Sequence, residues 1–272
     1  MKKALSMFLA AAFATGLAAA AFAGDTLEEV KKKGVLVAGV KDSLPPFGFV
    51  DEKTRTIVGY DIDFVNAIAK KLGVKVELKP VTSATRMPQL KEGNIDLIAA
   101  TMTKNPERAK EIDFSDTYFL TGQKFLVKKG SVKSLKDLEG KRIGTAKGST
   151  SEQNAKKAIP TAEVLSYDDY PQAFLALQQG KVFAVTTDES ILAGLLAKAP
   201  NKKAFEIPPK VQISEEPYGL GMRKGDANLV AFVNKTIAEM EKKGEAKKIY
   251  DKWFGPKSDT PIPRNFKIEA GK

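Results

Sequence analysis

The sequence predicts an α/β protein of two lobes, and three observations carry that expectation. Apolar runs of strand length alternate with amphipathic helical stretches. The alternation breaks off near residue 120 and starts over, giving two series. The roughly 249 residues that follow an N-terminal leader suit two ordinary domains better than one. Strands alternating with helices further predict parallel sheets with right-handed crossovers.

The first series opens with "GVLVAGV", a short apolar run of strand type. "YDIDFVNAIAKKLG" then places Ile62, Val65, Ile68, Ala69 and Leu72 at helical spacing, with Gly73 as the stop. "VKVELKP" alternates with period two, "RMPQLKEG" reads as a short helix and "IDLIAA" as a buried strand. In the second series "KFLVKKG", "RIGTA", "AEVLSY" and "VFAVTTD" read as strands. Between and after them, "SLKDLEG" (capped by Ser134), "STSEQNAKKA", "YPQAFLALQQG" and "ESILAGLLAKA" read as helices. The chain closes with the helix "NLVAFVNKTIAEMEKKG" and a shorter one around Tyr250 and Trp253.

The leader is itself informative. Lys2 and Lys3 precede the apolar "ALSMFLAAAFATGLAAAAFA", which reaches Ala21-Phe22-Ala23 before the first acid, Asp25. That is the order of a secretory signal peptide with an A-x-A cleavage site, so residues 1–23 are excluded from the fold. Cysteine is absent, which removes disulfides, thiol chemistry and a lipid-anchored N-terminus together. A soluble exported protein without an anchor is expected in a compartment that retains it, the periplasm of a double-membraned bacterium. Histidine is absent too, and with it the commonest metal ligand and general base. The formal charge of +11, or +9 without Lys2 and Lys3, is spread over scattered lysines ("EVKKKG", "AKKLG", "KKGEAKK"). Scattered lysines read as solvated faces, and no nucleic-acid partner is expected.

One stretch raises a chemical question. "TMTKNPER" gathers Thr101, Thr103 and Arg108 at the end of an apolar strand. A guanidinium is a planar fork matched to a carboxylate, although Arg108 can also pair locally with Glu107 or Glu111. "KGSTSEQ" sets Gly148, Ser149 and Thr150 at a helix start, where free N–H groups attract an anion or a cap suffices. Asp188 ends the "VFAVTT" strand, placed to accept from a cation or to cap the next helix.

In order along the chain, "PPFGF", "GYDIDFVNAIAKKLG", "EGNIDLIAATMTKNPERAKEIDFSDTYF", "GSTSEQ", "VTTDES", "PYGLGMRKGD" and "YDKWFG" resemble the extracellular solute-binding proteins that deliver polar amino acids to ABC importers. Details around "VTSATRMPQL" and "ILAGLLAKA" look closest to the glutamate and aspartate binders. The resemblance implies the type II periplasmic binding protein fold, two α/β lobes joined by two hinge crossings. Lobe 1 then spans residues 24–120 and 217–272, lobe 2 residues 121–216, with hinges near Thr121–Phe125 and Ile213–Gly219. Its ligand is an L-amino acid in the cleft and its partner a membrane permease with its ATPase. It acts as a monomer without cofactor or metal.

By the same resemblance, Arg108 clamps the ligand's α-carboxylate with Thr101 and Thr103. Ser149 and Thr150 complete that site from the facing lobe, and Asp188 accepts from the ammonium. Tyr60 is the aromatic wall, while Lys41, Ser83 and Arg86 stand where acidic-amino-acid binders carry basic or hydroxyl groups. Two departures stand out. Lys41 replaces an expected arginine, so the bidentate fork is missing, and Tyr170 stands where a histidine is usual. Two cations beyond the one on the α-carboxylate imply an acidic ligand, glutamate or aspartate, over glutamine or asparagine; the alternative is that Lys41 pairs with Asp42 and Arg86 with Glu92, which leaves an uncharged pocket of the glutamine type. A few proteins of this fold have become dehydratases, but the position three after Asp188 is the apolar Ile191, so a binding protein is expected and not an enzyme.

Overall fold

The computed structural model describes residues 25–271, and the predicted leader lies outside them. In chain order the first part comprises α1 (Thr26–Lys33), β1 (Val35–Val40), β2 (Ser43–Leu44), β3 (Gly48–Val50), β4 (Ile57–Val58), α2 (Tyr60–Leu72) and β5 (Lys75–Pro80). It continues through α3 (Arg86–Lys91), β6 (Leu97–Ala99), α4 (Pro106–Ala109) and β7 (Ile112–Phe114). The second part runs from β8 (Phe119–Lys128) through β9 (Arg142–Ala146), α5 (Thr150–Ala158), β10 (Glu163–Tyr167), α6 (Tyr170–Gln178), β11 (Ala184–Asp188) and α7 (Glu189–Ala197) to β12 (Phe205–Glu206). The chain then returns through β13 (Ser214–Tyr218) and β14 (Gly221–Arg223) to α8 (Ala227–Lys242) and α9 (Glu245–Phe254).

These elements build two main sheets, one per lobe, in the order β5-β1-β6-β14-β7 and β10-β9-β11-β8-β12, with β13 added on β8. The expected parallel pairing holds for β5-β1-β6 and for β10-β9-β11. It does not extend to the rest, because β14, β8 and β12 pair antiparallel. Those strands enter where the chain crosses between lobes or doubles back, not as the far strand of a βαβ unit, so no crossover helix sets their direction. A small hairpin sheet, β2-β3-β4, was not expected at all; its strands are two or three residues long, too short for any periodicity to show.

The chain passes between the sheets twice, along β8 and β13, which lie side by side with Phe119 opposite Tyr218 and Gln123 opposite Ser214. Under this ladder sits an aromatic core. Phe119 packs against Phe47 and Phe254 with ring centroids 5.0 Å apart, Tyr60 at 5.1 Å and Tyr218 at 5.5 Å. Offset and edge-to-face pairs of this kind contribute about 0.5–1.5 kcal/mol each beyond their buried area. The crossings are therefore anchored on the first lobe by packing, which fixes where the second lobe meets it.

Candidate functional site

The parallel strands of both lobes aim their C-terminal ends at one interlobe cleft, the position where open α/β sheets carry ligand-binding loops. From the first lobe, Lys41 follows β1, Ser83 and Arg86 lead into α3, and Thr101 and Thr103 follow β6. From the second, Ser149 and Thr150 begin α5 after β9, Asp169 and Tyr170 begin α6 after β10, and Asp188 ends β11. The lobes meet across this cleft. Thr103 Oγ1 and Thr150 Oγ1 are 3.3 Å apart, and Ser43 Oγ donates to Asp169 Oδ2 at 2.6 Å. A Cβ at Gly148 would lie 2.9 Å from Ala84 Cα, and one at Gly194 would overlap the Pro45 carbonyl oxygen. Two glycines of the second lobe thus permit the approach.

Arg108 bridges the lobes. Its Nη1 donates to the Thr103 carbonyl at 2.9 Å and its Nη2 to the Gly148 carbonyl at 3.4 Å. Neither Glu107 nor Glu111 holds it, since those acids pair with Lys110 and Lys91. Its backbone is set by Asn105, which caps α4 by accepting from the Arg108 amide at 2.9 Å. Thr150 Oγ1 donates to Glu216 Oε2 at 3.0 Å. Ser149 serves as a helix cap: its hydroxyl accepts from the Glu152 amide at 3.1 Å and donates to the Ala146 carbonyl at 2.6 Å. What it leaves toward the cleft is the amides of the first turn of α5, which have no partner within the helix.

Asp188 is 3% exposed and stands at the N-cap position of α7 without accepting any of its amides. Oδ2 accepts a short bond from the Tyr218 hydroxyl, whereas Oδ1 is buried with no protein partner. Burial, and then the nearby Glu216 carboxylate, push its pKa up to about 8 against the pull of Tyr218, Arg108 and Arg86. Arg86 is the opposite case. Its Nη1 donates to the carbonyls of Ala100 and Thr101, and its Nε is buried without a partner. Burial and then the Arg108 charge lower its pKa to about 9. One donor on the first lobe and one acceptor on the second are thus left unsatisfied where the lobes meet, a pattern that a ligand with both polarities answers.

Lys41 is 0% exposed, with Nζ 3.4 Å from Ser83 Oγ and 3.5 Å from Asp169 Oδ1 of the facing lobe. Burial lowers its pKa to about 8, the Asp169 carboxylate raising it and Arg86 lowering it further. The Arg86 charge thus acts on Lys41, and the Arg108 charge on Arg86. Tyr170 is buried beside Ser151, its hydroxyl 3.3 Å from Ser151 Oγ, and burial and Asp188 raise its pKa.

Tyr60 requires a correction. Its ring is enclosed by Phe47, Phe64, Tyr118, Phe119, Tyr250 and Phe254, and its hydroxyl donates to the Tyr118 carbonyl at 2.9 Å. The apolar packing of α2 against the hinge takes the ring into the core, so it is scaffold and not a wall of the cleft. The other nine predicted residues lie at the strand ends and helix starts where the two lobes meet. Sequence reasoning missed Asp61, Asp169, Glu216 and Tyr218; Asp61 and Asp169, acids at helix starts, carried a local signal only for helix capping. Among the described residues, no group of three or more His, Cys, Asp or Glu is placed to hold a metal ion.

Residues 36–256 match the sequence profile of the bacterial extracellular solute-binding proteins, family 3. The glutamine-binding protein of Geobacillus stearothermophilus is 45% identical over 217 residues, covering 78% of this chain and 81% of its own. The glutamate/aspartate import solute-binding protein of Escherichia coli is 37% identical over 279 residues, covering 97% and 90%. Among solved structures, an ancestral arginine-binding protein bound to glutamine superposes with a TM-score of 0.77 at 46% identity, covering 82% of this chain and 98% of that one.

Proposed function

This chain belongs to the bacterial extracellular solute-binding proteins of family 3, and from that premise we propose that it is the periplasmic receptor that captures L-glutamine for an ABC importer. The observation that carries the reading is that, of the four buried side-chain atoms without partners among the described residues, two face the cleft region from opposite lobes, Arg86 Nε and Asp188 Oδ1. An amino acid is a zwitterion. Its ammonium is the donor that Asp188 Oδ1 lacks, and its carboxylate is the anion that Arg108, Arg86 and the first turn of α5 attract. Hydrogen bonds to charged groups contribute about 1.5–3 kcal/mol each. A ligand touching both lobes favours their closed arrangement by its differential affinity for it.

The choice of an amide over an acidic side chain rests on Asp169. The acidic preference expected from Lys41, Ser83 and Arg86 assumed cations without counter-charge. Lys41 instead faces Asp169 at 3.5 Å, and Arg86 is engaged with the Ala100 and Thr101 carbonyls. A side-chain carboxylate there would meet Lys41 together with the Asp169 carboxylate, whereas a carboxamide can accept from the first and donate to the second. The glutamine-binding relative and the glutamine-bound ancestral protein support the same choice. Glutamate is the second reading, supported by Lys41 itself and by the E. coli relative.

Thermal unfolding of amino-acid-stripped protein with each of the twenty L-amino acids tests this. At a hundredfold excess over Kd a ligand of the native state stabilises it by about 2.7 kcal/mol. Glutamine is expected to give the largest rise in Tm. A larger rise with glutamate overturns the amide reading, and no rise with any amino acid overturns the receptor reading.

A further inference from the structure

We propose that Asp61, which no sequence motif marks as part of the site, is the positioning residue that holds the Thr101–Thr103 arm and, through it, Arg108. The inference rests on the amino-acid-receptor reading of the cleft.

Asp61 lies in the first turn of α2, where an acid usually serves its own helix. Here no side chain caps α2, and Asp61 is 0% exposed with both carboxylate oxygens directed elsewhere. Oδ2 accepts from the Thr101 amide at 3.0 Å and Oδ1 from the Tyr118 hydroxyl at 2.7 Å. Both partners are distant in sequence, one at the end of β6 and the other just before the hinge strand β8.

Thr101 needs that support. Its φ is 48°, in the left-handed region, which disfavours β-branched residues and persists only where neighbours enforce it. Three hydrogen bonds enforce it. The amide goes to Asp61, the carbonyl accepts from Arg86 Nη1 at 3.1 Å, and the hydroxyl donates to the Ala100 carbonyl at 2.8 Å. Residue 101 is thus held between a buried anion on its N–H side and a buried cation on its C=O side. The bend sends the chain from β6 into Met102, whose carbonyl accepts from the Gly219 amide at 3.0 Å, and into Thr103, whose carbonyl anchors Arg108 Nη1 at 2.9 Å. If the bend relaxes, the Thr103 carbonyl moves and the Arg108 guanidinium loses the hydrogen bond that ties it to its own lobe. Burial pushes the Asp61 pKa up to about 7, with the bonds from Tyr118 and Thr101 and the charges of Arg86 and Lys41 opposing.

Asp61→Asn keeps the shape and removes the charge, and its amide can serve only one of the two donors as an acceptor. The expected result is a rise of about tenfold or more in Kd for L-glutamine with the unfolding midpoint little changed, whereas Tyr118→Phe, which spares the Thr101 bond, changes Kd by less than about threefold. Thr101→Gly tolerates the left-handed bend without support, so Asp61→Asn is expected to cost less in that background, a non-additivity that marks direct coupling. Additive effects, or a Tyr118→Phe loss as large as that of Asp61→Asn, overturn the proposal. A second arm needs no amino acid. In 15N-labelled protein the Thr101 amide proton is expected to lie downfield and to move on Asp61→Asn; an unmoved resonance overturns the proposal even if no amino acid binds, while a moved one with no binding overturns only the receptor reading.

Discussion

Lys41 and Asp169 face each other across the cleft, the ammonium of the first lobe 3.5 Å from a carboxylate oxygen of the second. The contact joins the segment after β1 to the start of α6, so it exists only while the lobes are together. It also neutralises the cation that would otherwise invite an acidic ligand. Asp169→Asn is therefore expected to shift selectivity toward L-glutamate, changing the ratio of glutamine to glutamate affinities by about tenfold, or about 1.4 kcal/mol. Competition binding measures it, and the shift should change little with ionic strength, because Lys41 is buried and buried charges are screened much less than exposed ones.

Arg108→Ala is expected to abolish measurable binding while leaving the far-UV spectrum and the unfolding midpoint nearly unchanged. The guanidinium hydrogen-bonds two carbonyls, one from each lobe, and pairs directly with no carboxylate, so its removal breaks no salt bridge. A variant within about threefold of wild type, a difference near 0.65 kcal/mol, would remove Arg108 from the ligand's carboxylate.

Binding should release protons near neutral pH. Burial and Glu216 hold the Asp188 pKa up to about 8, with Tyr218, Arg108 and Arg86 opposing, so at pH 7 the acid is mostly protonated until a ligand ammonium favours its ionised form. Calorimetry in buffers of different ionisation enthalpy is expected to show up to about one proton released, and Asp188→Asn should abolish the release. The same variant should weaken glutamine much more than its deaminated analogue. Stability without amino acid should move the other way from an ordinary carboxylate. Asp188 and Asp61, raised from 3.8 to about 8 and about 7, bind more protons folded than unfolded, so their contribution falls as pH rises through roughly 4 to 8.

Gly194 in α7 abuts the Pro45 carbonyl of the facing lobe. Gly194→Ala is expected to oppose closure, raising Kd about tenfold or more by lowering the binding-competent fraction, with little loss of stability because the helix itself favours alanine. An unchanged Kd would mean that the lobes need not approach this closely to hold the ligand.

The parts of this site that were legible in the sequence are those where one strand end and one helix start carry the signal. Thr101, Thr103 and Arg108 share one such segment, Ser149 and Thr150 another, and Asp188 ends a strand recognisable from its run of apolar and β-branched residues. Asp61 was hidden because it sits among the polar positions of an amphipathic helix, and its partners at 101 and 118 become neighbours only through the fold. Tyr218 and Glu216 were hidden in a stretch without periodicity, "EEPYG", that becomes a strand by pairing with β8. The acidic preference followed from counting Lys41 and Arg86 as free cations. A contact between residues 41 and 169, and carbonyl acceptors for an arginine, leave no trace in local sequence.

The most direct measurement of the central account is isothermal titration of amino-acid-stripped wild-type protein with L-glutamine and with L-glutamate at neutral pH and low salt. One glutamine per chain, bound at least about tenfold more tightly than glutamate, is the expected result. Glutamate bound as tightly as glutamine would contradict the role given to Asp169, and no heat with either would contradict the cleft between Arg108 and Asp188 as a site for such an amino acid.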